Sequence, residues 1–195
     1  MKTDIVLAGV GGQGILSIAT ILGTAALDEN LHIKQAEVHG MSQRGGDVQS
    51  NLRISEAPIA SDLIPLGGAD LIVSLEPMEA LRYLPYLKPD GWIITNTTPF
   101  VNIDSYPEAE ALEAELAKHD RVIAFDMDSI AKELGSPKSS NMVLLGAASP
   151  FILIAADKVE DGIRKVFAAK GGKIIDSNIK AFRAGRDYSL NLQNK

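Results

Sequence analysis

The chain of 195 residues contains no cysteine. That absence excludes disulfides, thiolate metal sites, a cysteine nucleophile and a cysteine-ligated iron–sulfur cluster, so any redox centre the protein serves must sit on another chain. Positive charge is scarce as well: 19 Lys and Arg stand against 25 Asp and Glu, a net charge of −6. No basic stripe interrupts this acidic background, which argues against nucleic acid as a partner. No apolar run reaches the roughly 18 residues of a membrane span, and Lys2 and Asp4 lead straight into a core strand rather than a signal peptide. A soluble, cytoplasmic protein is expected. Internal repeats and low-complexity segments are missing. So are a nucleophile elbow, a His-Glu-x-x-His helix, a P-loop lysine and an acid/base dyad. These absences predict recognition rather than chemistry on this chain, with no catalytic residue and no metal site of its own.

What is present is organised around the first fourteen residues. Ile5, Val6, Leu7 and Ala8 form an unbroken apolar run, the pattern of a central strand buried on both faces. Gly9, Gly11 and Gly14 then fit GxGxxG, and an apolar helix follows over 15–27. Strand before and helix after is the context that a Rossmann-like first unit requires, with the helix start facing an anion. A second strand over 31–36 ends near Glu37, about 20 residues past the glycines, where a dinucleotide-binding unit places an acid on the ribose hydroxyls.

Val48, Ser50, Leu52 and Ile54 alternate with Gln49, Asn51, Arg53 and Ser55, as in a half-exposed strand at an antiparallel edge, with a short extended piece at 59–61 beside it. Buried strands at 69–75, 92–96 and 121–125 alternate with a helix begun by Pro77, an acidic helix over 108–115, and a helix through Leu134 capped by Gly135. From about residue 139 the chain reads as helical. One helix runs from Asn141 to about Ala156 with a bend at Pro150, and its Gly146-Ala147-Ala148-Ser149 stretch presents a small-residue face for another element. A second opens with acceptors of a capping box at Asp157 and Glu160, and a last one covers 178–186 before a polar tail. The expected architecture is a single three-layer α/β/α Rossmann-like domain over 1–195, with a mostly parallel sheet and an antiparallel edge.

In such a sheet, ligands bind outside the carboxyl ends of the strands. Those ends are the loop from Gly9 to Gly14, the stretch from Glu37 to Gly46, Glu76, the run from Asn96 to Thr98, and Asp126 to Ser129. They should meet in one crevice. The stretch over 37–47 has the glycines and hydrogen-bonding side chains of a loop that serves a site. Arg44, beside Gly45 and Gly46, offers a forked donor to a carboxylate or phosphate. His39, with no second ligand nearby, reads as a structural residue.

Gly9-Val10-Gly11-Gly12-Gln13-Gly14, His39-Gly40-Met41-Ser42-Gln43-Arg44-Gly45-Gly46, and Asn141 with Leu145-Gly146-Ala147 together resemble the gamma-type subunit of 2-oxoacid:ferredoxin oxidoreductases. The second stretch is most similar to the small subunit of the indolepyruvate branch. The resemblance covers nearly the whole chain. It implies a large partner subunit carrying thiamine diphosphate and iron–sulfur clusters, and an assembly that turns an aryl pyruvate, coenzyme A and oxidised ferredoxin into aryl-acetyl-CoA, carbon dioxide and reduced ferredoxin. On that footing Gly9, Gly11, Gly12, Gln13, Gly14, Ser42, Gln43, Arg44, Gly45 and Gly46 are the residues expected to approach coenzyme A phosphates or an acidic loop of the partner. Two rival readings stand beside it: an NAD(P)-dependent oxidoreductase acting alone through Gly9, Gly11, Gly14 and Glu37, and a purely structural interaction subunit.

Overall fold

A computed structural model describes residues 1–40 and 45–193, apart from the side chain of His39. Six strands, β1 (Lys2–Val10), β2 (His32–His39), β3 (Asp47–Ser55), β4 (Ala69–Ser74), β5 (Leu87–Asn96) and β6 (Val122–Phe125), form one sheet in the order β2-β3-β1-β4-β5-β6. Pairings of β1 with β4, β4 with β5 and β5 with β6 are parallel, whereas β3 pairs antiparallel with both β1 and β2. Thus β3 alone runs against the other five. β1 is interior, as its apolar run requires, and Ile5 through Ala8 are fully buried. The antiparallel edge is present, but its outermost strand is β2. The alternating segment β3 lies one strand inward.

The chain leaves β1 toward β2 on one side and enters β4 on the other, so the topological switch falls between β1 and β4. One face of the sheet carries the larger core, where α1 (Ile15–Asp28), α4 (Met127–Glu133), α5 (Ser140–Ala148), α6 (Ala156–Val166) and α7 (Gly172–Gln193) pack on residues such as Leu7, Leu52, Val73 and Ile94. The opposite face is covered more thinly, by α2 (Pro77–Arg82) and α3 (Ala109–Leu116) over Val6, Ala8, Ile72 and Ile93.

Five expectations need correction. The face of β3 expected to be half exposed is largely covered, with Asn51 at 3% exposure. The segment over 56–68, which is a loop and not a further extended edge piece, lies across it. Arg53 donates to the carbonyls of Ser61 and Leu63 at 3.0 Å each, and Asn51 Oδ1 accepts from the Ile64 amide at 3.3 Å. The Arg53 guanidinium also meets the buried Asp4 carboxylate at 2.8 Å. Burial pushes the Asp4 pKa up, but hydrogen bonds and charges from Arg53 and Lys2 outweigh it and hold the carboxyl below its ordinary value.

The helix from residue 141 does not bend at Pro150 but ends at Ala148, passing into a 3₁₀ turn over Ser149–Phe151. Proline has no N–H to continue the ladder, and Ser149 Oγ takes up the carbonyl of Gly146 at 2.7 Å. Asp157 caps nothing: Ala155 is the N-cap of α6, and Glu160 instead pairs with Arg183 at 2.7 Å across to α7. The last helix is also longer than 178–186. It runs through 22 residues, because Ile179, Phe182, Gly185 and Ser189 keep one buried face running into the supposed tail.

Candidate functional site

The glycine loop is set by local geometry at two positions. Gly12 and Gly14 hold φ of 102° and 92°, a left-handed region that other residues reach at a cost. Gly14 is the N-cap of α1 and has no side-chain cap, and a Cβ there would sit 2.6 Å from Nδ2 of Asn141. That same Nδ2 donates to the Gly14 carbonyl at 3.3 Å. Two motif fragments 127 residues apart are therefore in contact. Gln13 bridges the switch point: Oε1 accepts from the Val10 amide at 2.7 Å, ending β1, and Nε2 donates to the Leu75 carbonyl at 3.3 Å, beyond β4.

Gly11 is joined to the second glycine stretch on both sides. Its N–H donates to the Gly46 carbonyl at 2.8 Å, and its carbonyl accepts from the Gly45 amide at 3.4 Å. These bonds carry the antiparallel β1–β3 ladder past Val10 and Asp47. They also occupy the Gly11 N–H that a bound pyrophosphate would need. Glu37 lies on β2, with β3 interposed between it and β1, so it stands one strand farther from Gly9–Gly14 than a dinucleotide unit places its acid. Ser42, Gln43 and Arg44 lie outside the described residues.

The carboxyl ends of β1, β4, β5 and β6 do converge. A cleft of about 440 Å³ is lined by Gly12, Gln13 and Leu75, by Asn96 and Asp128, and by Lys138, Ser140 and Asn141 around the start of α5. Asn96 is 2% exposed and organises one wall: Nδ2 donates to Asp128 Oδ2 at 2.9 Å, and Oδ1 accepts from the amides of Met127 and Thr98. Ser140 in turn donates to Asp128. Asp126 caps α4 by accepting from the Ser129 amide at 2.9 Å. The hydroxyl and amide of Ser129, outweighing slight burial, hold its carboxyl below the ordinary range.

At the start of α2, on the thinly covered face of the sheet, a group of acids is folded inward. Glu76 is fully buried; it caps α2 through the Glu79 amide at 2.8 Å and accepts from the Phe100 amide at 3.3 Å and from the Tyr106 hydroxyl. Burial first, and then the hydrogen bond to Glu76, push the Tyr106 phenol well above its usual value. Glu79, 1% exposed, is raised by burial and by the charges of Glu76 and Asp47, against the pull of its partner Arg82. Among the expected strand-end residues, Glu76 is thus an anchor. Tyr106 and Lys138 escaped notice because each sits in a loop with no periodicity or motif around it.

Residues 4–188 match the family described as pyruvate ferredoxin/flavodoxin oxidoreductase. The chain is 37% identical to the indolepyruvate oxidoreductase subunit IorB of Archaeoglobus fulgidus, over 97% of this chain and 96% of that protein. It is 38% identical to the protein of the same name from Pyrococcus horikoshii, over 93% of each. Its fold is that of the gamma subunit of a keto/oxoacid ferredoxin oxidoreductase from Geobacter sulfurreducens, with TM-score 0.71 and 22% identity over 97% of this chain and 99% of that one. The same fold occurs in the 2-oxoglutarate:ferredoxin oxidoreductase of Magnetococcus marinus, solved with 2-oxoglutarate, coenzyme A and succinyl-CoA bound (TM-score 0.76, 22% identity). There it covers 97% of this chain but 31% of the longer one.

Proposed function

The chain belongs to the pyruvate ferredoxin/flavodoxin oxidoreductase family and is a subunit of a 2-oxoacid:ferredoxin oxidoreductase, and from that premise we propose that it is the small subunit of an indolepyruvate-type enzyme. The observation that carries this reading is identity of 37% and 38% to two IorB proteins along nearly their whole length. In this reading an aryl pyruvate and coenzyme A give aryl-acetyl-CoA and carbon dioxide, with two electrons leaving to ferredoxin. Thiamine diphosphate and the iron–sulfur clusters belong to a large partner subunit. Without cysteine this chain offers no thiolate to ligate such a cluster.

The role of this chain is then to bind and orient. Gly12 and Gly45, each with nothing within 4 Å of where a Cβ would stand, leave the rim of the crevice open to close approach, while Gly14 is closed against Asn141 and Gly46 is bonded to Gly11. Gly9, Gly11 and Gln13 hold that rim in place. Ser42, Gln43 and Arg44, which precede Gly45 in sequence, supply the polar side chains that would meet coenzyme A phosphates or an acidic loop of the partner. The occupied Gly11 N–H and the interposed β3 speak against the rival dinucleotide reading.

The test is reconstitution. Purified alone, the chain should be colourless and inactive with indolepyruvate; mixed with the large subunit it should support coenzyme A-dependent dye reduction. Turnover by the isolated chain with cofactors added, or full activity of the large subunit without it, refutes the proposal. Calorimetric titration with NADH should give no binding heat.

A further inference from the structure

We propose that the segment over 99–106 is the element by which this chain docks onto the large subunit, and this inference rests on the subunit reading above. Phe100, Val101 and Ile103 are 41%, 71% and 46% exposed, three large apolar side chains within four residues. A solvated loop gains nothing from them. The segment is nevertheless held firmly: Glu76 accepts from the Phe100 amide at one end and the Tyr106 hydroxyl at the other, and Asn102 Nδ2 donates to the Gly45 carbonyl at 2.7 Å. Holding exposed apolar groups in one geometry lowers the ordering cost of association.

Placement and charge name the occupant. Through Asn102 and Gly45 the segment is continuous with the rim of the crevice; it carries the exposed Asp104, and the exposed Asp47 stands two residues beyond Gly45. An apolar centre with an acidic border fits a partner that offers an apolar pocket edged by Lys and Arg. The same fold also occurs as 31% of the longer Magnetococcus marinus chain, where it is joined to the rest of an oxidoreductase. Leu63 and Leu66, exposed as well, lie on the loop held by Arg53 toward the amino end of β1, away from the crevice, and serve as a control surface.

The experiment measures the affinity of the purified chain for the purified large subunit at two salt concentrations, with sedimentation of the isolated chain in parallel. A V101S/I103S double variant should bind at least tenfold more weakly with an unchanged circular dichroism spectrum and thermal midpoint. Tyr106→Phe, which keeps the apolar side chains but removes one tether, should lose a few-fold. Leu66→Ser should bind as wild type, and wild-type binding should weaken as salt is raised. Wild-type binding that is unchanged in V101S/I103S overturns the docking role alone, as does self-association of the isolated chain through this segment. A wild-type chain that fails to bind the large subunit overturns both this inference and the subunit reading.

Discussion

Replacing Gly146 by alanine should destabilise the protein although alanine is the better helix former. At an exposed helical site the exchange gains about 1 kcal/mol. Here α5 and α7 cross backbone to backbone: a Cβ on Gly146 would stand 1.8 Å from the Phe182 carbonyl oxygen, and one on Gly185 would stand 1.9 Å from that of Val143. Neither contact is with a flexible side-chain end, so the helices must separate by about 1 Å or more to restore van der Waals distance. Separation loosens the packing of Phe182, which is fully buried between them. Overpacking of a rigid core costs roughly 1 to 3 kcal/mol, and a backbone-on-backbone clash belongs at or above the top of that range, so the net loss should be about 2 to 4 kcal/mol. In a chain of this size that lowers the thermal midpoint by roughly 5 to 15 °C. Gly172→Ala is the matched control, because a Cβ at that first position of α7 meets nothing within 4 Å. Scanning calorimetry of wild type, Gly146→Ala, Gly185→Ala and Gly172→Ala decides the matter. A midpoint for Gly146→Ala at or above wild type would show that the close crossing is not the constraint claimed. Since α5 begins with the Ser140 and Asn141 that line the crevice, the same variant should also weaken assembly.

Two further outcomes follow from charge. The Asp4 carboxyl is held below its unfolded value, so the stability it contributes is present above the unfolded pKa near 4 and is lost as pH falls through the lower folded value. Asp4→Asn should flatten the acid limb of stability against pH, and by leaving Arg53 half-paired it should cost about 3 kcal/mol at neutral pH; an unchanged acid limb would contradict this. Glu79 carries the opposite sign: its raised pKa means stability falls as pH rises from the unfolded toward the folded value, so Glu79→Gln should remove that decline, a curve read from urea midpoints between pH 4 and 7. In the stretch that precedes Gly45 in sequence, Arg44→Ala should weaken coenzyme A use or assembly by about 1.5 to 3 kcal/mol, roughly 10- to 150-fold, and Arg44→Lys should restore only part. If both variants match wild type in coenzyme A Michaelis constant and subunit affinity, Arg44 is a solvated surface residue.

Periodicity made the sheet and most helices legible, and the reasons for the failures are local. Ile5 through Ala8, the strand at 69–75 and the helix after Gly14 are written in runs long enough for the burial pattern to show. Alternation in β3 was visible too, but the polar half of it promised solvent. Asn51 and Arg53 instead use their polarity on the carbonyls and amides of a covering loop, a partnership no local window contains. The extra turns of α7 were hidden because Asp187, Ser189 and Asn191 look like a tail until the face bearing Gly185 and Ser189 is seen against α5. In the site, convergence of the strand ends was legible from fold logic alone. The tether between Glu76 and Tyr106 was not, since a buried carboxylate and a loop tyrosine 30 residues apart leave no pattern in the sequence.

The glycine fingerprint shows most clearly how a motif's chemistry depends on what comes next to it. In a dinucleotide-binding unit, β2 lies beside β1 and the amide of the second glycine is open to a phosphate. Here the chain skips one position, and β3 returns antiparallel into the gap, which brings Gly45 and Gly46 alongside Gly11. The N–H and carbonyl of Gly11 then serve another backbone instead of a ligand. The consequence is a rim built from two glycine stretches bonded to each other, with Gly12 and Gly45 left open on it. Such a rim is open to approach from outside. That arrangement suits a chain without cysteine whose relatives are named as subunits of oxidoreductases.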